Sequence, residues 1–289
     1  MIEKKFFTST TKILCIIGNP IEHSMSPIMH NAAINDLNLD YIYLAFKILS
    51  KNLKFAVEGF RAFNIIGINV TLPFKQNIMK YLDEIDPIAK KIGAVNTIKN
   101  DDGFLTGKNT DADGGLEALI SRGYNISGQN ILLIGAGGAA KALTYKMAEE
   151  ANEIVIINRD LKRALKLSNK ISKSFKVNIK ARNFNKNILK EECLKANIII
   201  NTTPIGMYPS VDESPIPVEC LHEDLIVYDI IYNPIETKLI RDANQKGCKT
   251  LGGLDMLVNQ GALAFEWWTN KKPNKMLMKT KIIEFLEMR

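Results

Sequence analysis

A glycine-rich loop is the segment whose chemistry is easiest to assign from the sequence. The apolar run 130–134 leads directly into Gly135-Ala-Gly-Gly-Ala-Ala140, a G-x-G-x-x-A pattern that is followed by a helical stretch. Gly135 permits a tight turn, Gly137 lets the backbone approach a pyrophosphate, and Ala140 allows close packing of helix on strand, while the helix N-terminus favours negative charge. Many glycine loops only turn the chain, but strand, loop and helix in this order predict a dinucleotide site. Its expected contacts are Gly135, Ala136, Gly137, Gly138 and Ala139.

The end of the next strand reads Asn158-Arg159-Asp160, where an Asp or Glu directly after the strand would bind a ribose hydroxyl and select NAD. Asn158 does not repel a phosphate, and Arg159 offers a fork of donors that matches one, with Arg163 close behind on the following helix. NADP(H) is therefore the predicted cofactor. Asp160 leaves two alternatives, since its carboxylate either weakens phosphate binding or caps the helix that begins at Leu161.

Polar residues also cluster after the strand ends of the first half of the chain, where open α/β sheets carry their functional loops. They are Ser24, Ser26, Asn69, Thr71, Lys75, Asn96 and the run Asn109-Thr110-Asp111. Taken singly, the serines and Asp111 could cap helices, and Lys75 could be a solvated surface lysine.

The elements that must position these residues alternate in type, which predicts an α/β fold of two domains with mostly parallel sheets. In the first half, strands are predicted over 13–17, 41–46, 65–70, 95–98 and 104–107, a turn over 100–103, and helices over 27–37, 52–63 and 112–122. Ser26 and Ser50 are the predicted caps of the first two helices. The second series has strands over 131–134, 154–157, 179–182, 198–200 and 226–230, with helices over 139–150 and 161–172. Residues 254–289 have a helical pattern broken by Pro273, and we expect them to pack back on the first domain.

Composition excludes several classes of protein. With 289 residues, 46% hydrophobic and 24% charged, the chain is expected to fold as two domains. The net charge of +7 comes from scattered lysines, which indicates a solvated surface and no nucleic-acid partner. The four cysteines lack metal-ligand spacing, so we expect reduced thiols in a cytoplasmic protein without a metal. The sequence contains no signal core and no apolar run of about eighteen residues. We therefore expect neither export nor membrane insertion.

Taken together, the motifs resemble the shikimate dehydrogenase family over nearly the whole chain. The matching segments are HSMSP at 23–27, NVTLPFK at 69–75, GAVNT at 93–97, GKNTDADG at 107–114, GAGGAAKA at 135–142, NRD at 158–160, NTTPIGM at 201–207, YDIIYNP at 228–234 and GGLDMLVNQGALAFEWW at 252–268. The resemblance implies a substrate domain, 1–111 completed by 254–289, and a Rossmann-type NADP domain, 112–253, with the active site in the cleft. One departure is Asp160, where NADP-specific members usually carry Thr.

The resemblance also implies a role for each matching residue. Lys75 and Asp111 match the family's catalytic pair, and Ser24 and Ser26 would hold the substrate carboxylate. The other implied substrate contacts are Asn69, Thr71, Asn96, Tyr232 and Gln260. On the cofactor side, Asn158, Arg159, Asp160 and Arg163 would lie at the adenosine phosphate. Thr202, Met207 and Gly252 would lie near the nicotinamide.

The expected activity is NADPH-dependent reduction of 3-dehydroshikimate to shikimate, a step of chorismate and aromatic amino acid biosynthesis, by a monomer or homodimer. A lysine suits this reaction because its ammonium can stabilise a developing alkoxide and donate a proton to it. Two alternatives remain open, a quinate/shikimate dehydrogenase that uses NAD or both cofactors, and a non-catalytic NADP-sensing protein. Among the histidines, His30 is expected to be a structural contact and His23 at best a neighbour of the site.

Overall fold

The structure, a computed structural model, describes residues 6–288. The chain forms two compact units. One contains the chain up to Thr110 together with the residues from Gly261 onward, and the other is Asp111–Gln260.

The first unit is built on a six-stranded sheet. Its elements in chain order are β1 (Lys12–Gly18), α1 (Ser26–Asp36), β2 (Tyr41–Lys47), α2 (Leu53–Ala62), β3 (Gly67–Val70), β4 (Glu84–Ile85), α3 (Pro87–Ile92), β5 (Thr97–Asp101) and β6 (Phe104–Lys108). The strand order is β2-β1-β3-β5-β6-β4. β1 is parallel to β2 and β3, and β4 is parallel to β6, whereas β5 is antiparallel to both of its neighbours.

The antiparallel pair β5–β6 follows from the predicted turn at 100–103. Asp102 and Gly103 both adopt positive φ, of 49° and 91°, which suits the tight turn of a hairpin. The side chain of Asn100 accepts a hydrogen bond from the Gly103 N–H at 2.8 Å and closes the turn. A sheet that is otherwise parallel therefore gains a hairpin at this point.

The second unit carries a sheet whose pairings are all parallel. Its elements are α4 (Asp111–Ile120), β7 (Asn130–Ile134), α5 (Gly138–Met147), β8 (Glu153–Asn158), α6 (Leu161–Ile171), β9 (Asn178–Asn183), α7 (Lys186–Cys193), β10 (Ile198–Asn201), β11 (Ile226–Asp229), α8 (Lys238–Gln245) and β12 (Lys249–Leu251). The strand order β12-β11-β10-β7-β8-β9 is that of a doubly wound dinucleotide-binding sheet, in which the order reverses between β7 and β10. The predicted α/β class with a Rossmann-type domain is confirmed.

The chain ends in α9 (Leu254–Thr269) and α10 (Lys275–Glu287), separated at Pro273 as predicted. The division between the units falls inside α9, at Gly261, and not before the helix as the sequence analysis placed it. The first part of α9 packs on α4, because Gly114 brings the two helices so close that a Cβ there would lie 2.6 Å from the Gln260 nitrogen. In the first unit α10 packs on α1, and the Trp268 indole donates to the Ile98 carbonyl at 2.9 Å.

Two capping predictions are wrong. Ser26 is the first residue of α1, which begins after Met25 without a side-chain cap, because Pro27 presets the helical φ and has no N–H to satisfy. Ser50 lies in a 3-10 turn, Ser50–Asn52, that runs straight into α2, so that the first α2 N–H bonds to the Ser50 carbonyl.

Candidate active site

The two serines predicted to hold a carboxylate lie between β1 and α1 in the first unit. The Ser24 hydroxyl oxygen accepts a hydrogen bond from the Ser26 N–H at 3.3 Å, which holds the pair together. Ser26 is buried and Ser24 is half-buried. Two hydroxyls and the start of a helix provide donors that suit a carboxylate.

Asn69, at the end of β3, is held by a buried polar network. Its side-chain N–H groups donate to the Asn96 carbonyl and to the Thr97 hydroxyl, each at 3.2 Å. Its side-chain oxygen accepts from the Tyr43 hydroxyl at 2.7 Å, and that hydroxyl shares a further hydrogen bond with Ser26. Burial raises the pKa of the Tyr43 phenol, so that it stays a neutral donor. The predicted contacts Ser26, Asn69 and Asn96 are thus brought together in this unit.

Asn96 continues the same network to the end of β6. Its side-chain oxygen accepts from the Thr110 N–H at 2.7 Å, and its N–H donates to the Thr110 hydroxyl at 2.9 Å. Tyr43 and Thr97 were not predicted from the sequence, whereas Thr110 belongs to the predicted polar cluster. Thr97 and Thr110 stand next to Asn96 and Asp111 in motifs that were quoted, but Tyr43 carries no local signal, since its partner Asn69 is distant in sequence.

Thr71 and Lys75 lie on the loop that follows β3. Thr71 lies against Gly18 at the end of β1, where an added Cβ would be 2.5 Å from the Thr71 methyl group. The loop is tied down because the Lys75 carbonyl accepts from the Val95 N–H at 2.8 Å and the Thr71 N–H donates to Ile17 at 3.0 Å. Lys75 is half-buried. The backbone of the predicted proton donor is therefore fixed by β1 and by the segment before β5.

The second unit holds Asp111 and Gln260. Asp111 is the first residue of α4 and is buried. The backbone of Gln260, on α9, packs against Gly114 of α4. The Gln260 side chain donates to the Leu257 carbonyl at 2.8 Å. The buried phenol of Tyr228 interacts electrostatically with Asp111, and burial raises the pKa of Tyr228. The predicted pair Lys75 and Asp111 is divided between the two units.

The glycine loop begins at the switch point of the second sheet. Gly135 has φ of +114°, and a Cβ there would lie 2.5 Å from the Thr202 hydroxyl, so that only glycine fits. Thr202, at the end of β10, donates to the Ile134 carbonyl at 2.7 Å. A Cβ on Gly137 would meet nothing within 4 Å, which leaves the backbone open at the start of α5. This is the surface that a pyrophosphate needs, so these residues fit a dinucleotide.

Three loops meet near Thr202 at the carboxyl ends of β10, β11 and β12. The Tyr208 N–H donates to Asn233 at 3.4 Å, which joins the loop of Met207 to that of Tyr232. The Gly253 N–H donates to Ile231 at 3.0 Å, and a Cβ on Gly253 would lie 2.0 Å from the Ile230 oxygen. Hydrogen bonds therefore link the loops that carry Met207, Tyr232 and Gly252.

A buried carboxylate that the sequence analysis missed anchors two of these loops. Asp229, at the end of β11, accepts hydrogen bonds from Asn201 at 3.0 Å, from Thr237 at 2.7 Å and from the Ile231 N–H at 3.1 Å. Burial raises its pKa to about 6, against the lowering effect of these donors. It positions the loops and is not itself exposed to a ligand.

At the end of β8, the helix cap that was one alternative for Asp160 is confirmed. Its carboxylate caps α6, accepting from the Lys162 N–H at 3.0 Å and from the Arg163 N–H at 3.3 Å. The Asn158 side chain donates to the Asp160 carbonyl at 2.8 Å, and the side chains of Arg159 and Arg163 are exposed. The cap fixes the loop of Arg159 relative to the first turn of α6, which carries Arg163, and both arginines could bind a phosphate.

Lys141, on the first turn of α5, adds a cation that the sequence analysis did not consider. It is half-buried, and α6 places Lys170, Lys166 and Arg163 near it. Burial, and then repulsion from these cations, lowers the pKa of Lys141 to about 8. The α5–α6 face is therefore strongly positive.

Within residues 6–288 no group of three or more His, Cys, Asp or Glu side chains could hold a metal ion. The four cysteines are buried, free thiols. No helix in the same range is long and apolar enough to cross a bilayer. His30 is buried among aromatic rings, as a structural contact would be.

Three family models match the chain in sequence order. They describe a shikimate dehydrogenase substrate binding domain at residues 16–98, shikimate / quinate 5-dehydrogenase at 118–208, and a shikimate 5'-dehydrogenase C-terminal domain at 253–282. Shikimate dehydrogenase (NADP(+)) of Methanococcus vannielii is 47% identical over 285 residues, which cover 96% of this chain and 99% of that protein. The chain belongs to the shikimate dehydrogenase family.

Solved structures of the family agree with this assignment. A crystal structure of a shikimate dehydrogenase in complex with NADP+ matches with a TM-score of 0.91 and 44% identity, over 97% of this chain and 98% of that one. Shikimate 5-dehydrogenase from Listeria monocytogenes, in complex with shikimate and NAD, matches with a TM-score of 0.88 and 41% identity, over 96% and 98% of the two chains. Family members have thus been crystallised with either cofactor.

Proposed function

We propose that this shikimate dehydrogenase family member reduces 3-dehydroshikimate to shikimate with NADPH, reversibly, in aromatic amino acid biosynthesis. One observation supports it most. The glycine loop at the switch point of a parallel sheet presents open backbone at Gly137, on a chain 47% identical over its length to a named NADP-dependent shikimate dehydrogenase.

The chemistry of the site residues supports this reaction. Bound NADPH would supply a hydride to the ketone carbon. The Lys75 ammonium would then stabilise the developing alkoxide and donate a proton to it, and Asp111 would orient that amine and accept from a ring hydroxyl. Ser24 and Ser26 would bind the carboxylate. The remaining contacts to the substrate would come from Asn69, Thr71, Asn96, Tyr232 and Gln260.

The cofactor roles follow from the two ends of the nucleotide. The loop 135–139 and the start of α5 would bind the pyrophosphate, and Arg159 and Arg163 would bind the adenosine phosphate. Thr202, Met207 and Gly252 would lie at the nicotinamide. Because two backbone N–H groups donate to the Asp160 carboxylate, it would repel a 2′-phosphate less than a carboxylate without such donors.

The decisive experiment is a spectrophotometric assay at the nicotinamide band, with 3-dehydroshikimate as substrate and NADPH or NADH as donor. Rapid loss of NADPH absorbance is the expected result. Comparing shikimate with quinate in the reverse direction tests the quinate alternative. Binding of NADPH and 3-dehydroshikimate without turnover would refute the proposal and favour a sensor.

Arg159→Ala tests the phosphate role within the same assay. We expect the KM for NADPH to rise roughly tenfold or more, because a charge-assisted hydrogen bond is lost, and the KM for NADH to change little. Lys162→Ala, an exposed cation on the next helical turn, is the matched control. Equal changes for both cofactors would show that Arg159 does not contact the 2′-phosphate.

A further inference from the structure

His30 is a fully buried titratable group that the reaction does not use. It lies in the middle of α1, with a relative exposure of 0%. Neither ring nitrogen has a hydrogen-bond partner among the described residues. Burial lowers the pKa of the imidazole to about 3, so the ring is neutral at working pH. A buried imidazole without hydrogen bonds needs a structural reason, since a neutral ring of this kind does not transfer protons.

The neighbours of His30 are aromatic. Its ring stacks on the ring of Tyr43 with the centroids 4.2 Å apart and the planes 9° from parallel. Phe265 and Trp268 of α9 lie at centroid distances of 6.1 Å and 5.7 Å. The Nε2 edge faces Gly261, where an added Cβ would lie 3.4 Å away. The imidazole is thus held flat against Tyr43 by contacts from α9.

Tyr43 connects this aromatic cluster to the polar network of the site. It lies on β2, the edge strand of the sheet, and its backbone is fixed by the Asn31 side chain through two hydrogen bonds of 2.9 Å. Those bonds position the backbone, and the plane of the buried ring is set by its neighbours, with the His30 ring stacked on one face and the Trp268 ring tilted at a centroid distance of 6.3 Å. The stacked imidazole selects one ring plane, in which the hydroxyl lies 2.7 Å from Asn69 and bonds with Ser26.

The geometry points to His30 as a positioning residue. We propose that its ring face holds Tyr43 in the plane that delivers the phenol hydroxyl to Ser26 and Asn69, and thereby presets two substrate contacts. This inference rests on the proposed function, since it takes those two residues as substrate contacts. His30 acts through stacking and shape, and its nitrogens play no part.

The test compares three variants in the assay with 3-dehydroshikimate and NADPH. His30→Leu removes the flat ring, and we expect the KM for 3-dehydroshikimate to rise roughly tenfold while the KM for NADPH stays within twofold, as for loss of one or two neutral hydrogen bonds. His30→Phe keeps a flat ring without nitrogens, so we expect a KM near that of the wild type. Val57→Ala, at a core residue of α2, is the control for general loss of stability.

A double-mutant cycle with Tyr43→Phe separates positioning from mere packing. If His30 acts through the phenol hydroxyl, His30→Leu adds little to the KM that Tyr43→Phe already has. Additive effects, a His30→Leu KM equal to that of the wild type, or a His30→Phe variant as impaired as His30→Leu would each overturn the inference. A wild-type protein that does not turn over 3-dehydroshikimate would instead refute the proposed function, which is a different result.

Discussion

Substituting Asp160 with Ala is expected to lower the thermal stability of the protein while it strengthens the binding of NADPH. Its carboxylate caps α6 through the N–H groups of Lys162 and Arg163, at 3.0 Å and 3.3 Å. Asp160→Ala removes this cap and the charge at the helix N-terminus, which costs about 1 kcal/mol for the cap and a few tenths more for the dipole. For a chain of this size we expect a Tm lowered by roughly 2–4 °C. Asp160→Thr retains a capping hydroxyl, so its Tm should stay near that of the wild type.

The cofactor effect has the opposite sign and is shared by both variants. On the proposed site, the carboxylate lies near a 2′-phosphate that carries between one and two negative charges. At ~7 Å in water, each pair of unit charges repels by about 0.6 kcal/mol, so removing Asp160 should gain about 1 kcal/mol. The KM for NADPH is therefore expected to fall roughly fivefold at low salt and less at high salt, since salt screens the interaction.

Initial rates with NADPH and with NADH, together with thermal melts of both variants, test this reasoning. NADH lacks the 2′-phosphate, so its KM should not change. An Asp160→Thr variant whose NADPH and NADH KM values move by the same factor, or not at all, would show that the carboxylate does not face the phosphate. Equal Tm losses in Asp160→Thr and Asp160→Ala would show that the cap is not the source of the stability.

Three further changes test other parts of the structure. Lys75→Ala should lower kcat by roughly 10²–10⁴-fold with a smaller effect on KM, and Lys80→Ala should not; turnover near that of the wild type would exclude Lys75. Gly67→Ala places a Cβ 2.4 Å from the Trp268 ring, so urea unfolding should show a loss of about 2 kcal/mol; no loss would mean that the indole moves freely. Lys141 has a pKa lowered to about 8, so a bound phosphate nearby should raise it; calorimetry in buffers of different ionisation enthalpy should then show proton uptake above pH 8, absent in Lys141→Gln.

The sign of the Lys141 effect on folding follows from the same shift. Because its folded-state pKa lies below the usual value, the charged lysine disfavours the folded state below about pH 8. That penalty is relieved as the pH rises from 8 towards 10.5, the usual pKa of a lysine. Because the Lys141 side chain is only half-buried, solvent screening reduces the size of this penalty. A phosphate that pairs with the cation would offset the same penalty at neutral pH.

The parts of the fold that could be predicted are those coded by neighbouring residues. The strand, glycine loop and helix at 130–147 and the turn at 100–103 carry their own backbone requirements, and both were confirmed. The short helices α7 and α8 were missed, because each has eight residues, mostly charged or polar, and buries only a few apolar side chains on the sheet. Packing on the sheet stabilises these two helices, and no local sequence pattern predicts that packing.

The same distinction applies to the candidate site. The motifs identified Ser26, Asn69 and Asn96 individually, but they did not predict which of these side chains are linked by hydrogen bonds. Tyr43 could not be found, since only the pairing of β1 with both β2 and β3 brings its ring over to Asn69. The serine caps failed for a related reason: a proline and a preceding turn had already satisfied the helix starts.

The bonds within the network also limit what Asn69 can do for a substrate. Both of its side-chain N–H groups are used, on the Asn96 carbonyl and the Thr97 hydroxyl, and its oxygen already accepts from Tyr43. An amide oxygen has two lone pairs, so the remaining capacity of Asn69 is to accept one more hydrogen bond. On the proposed function it therefore binds a ring hydroxyl and not the ketone oxygen, which needs a donor. Another group, a cation or an N–H, must then donate a hydrogen bond to the ketone oxygen. This is the role proposed for Lys75.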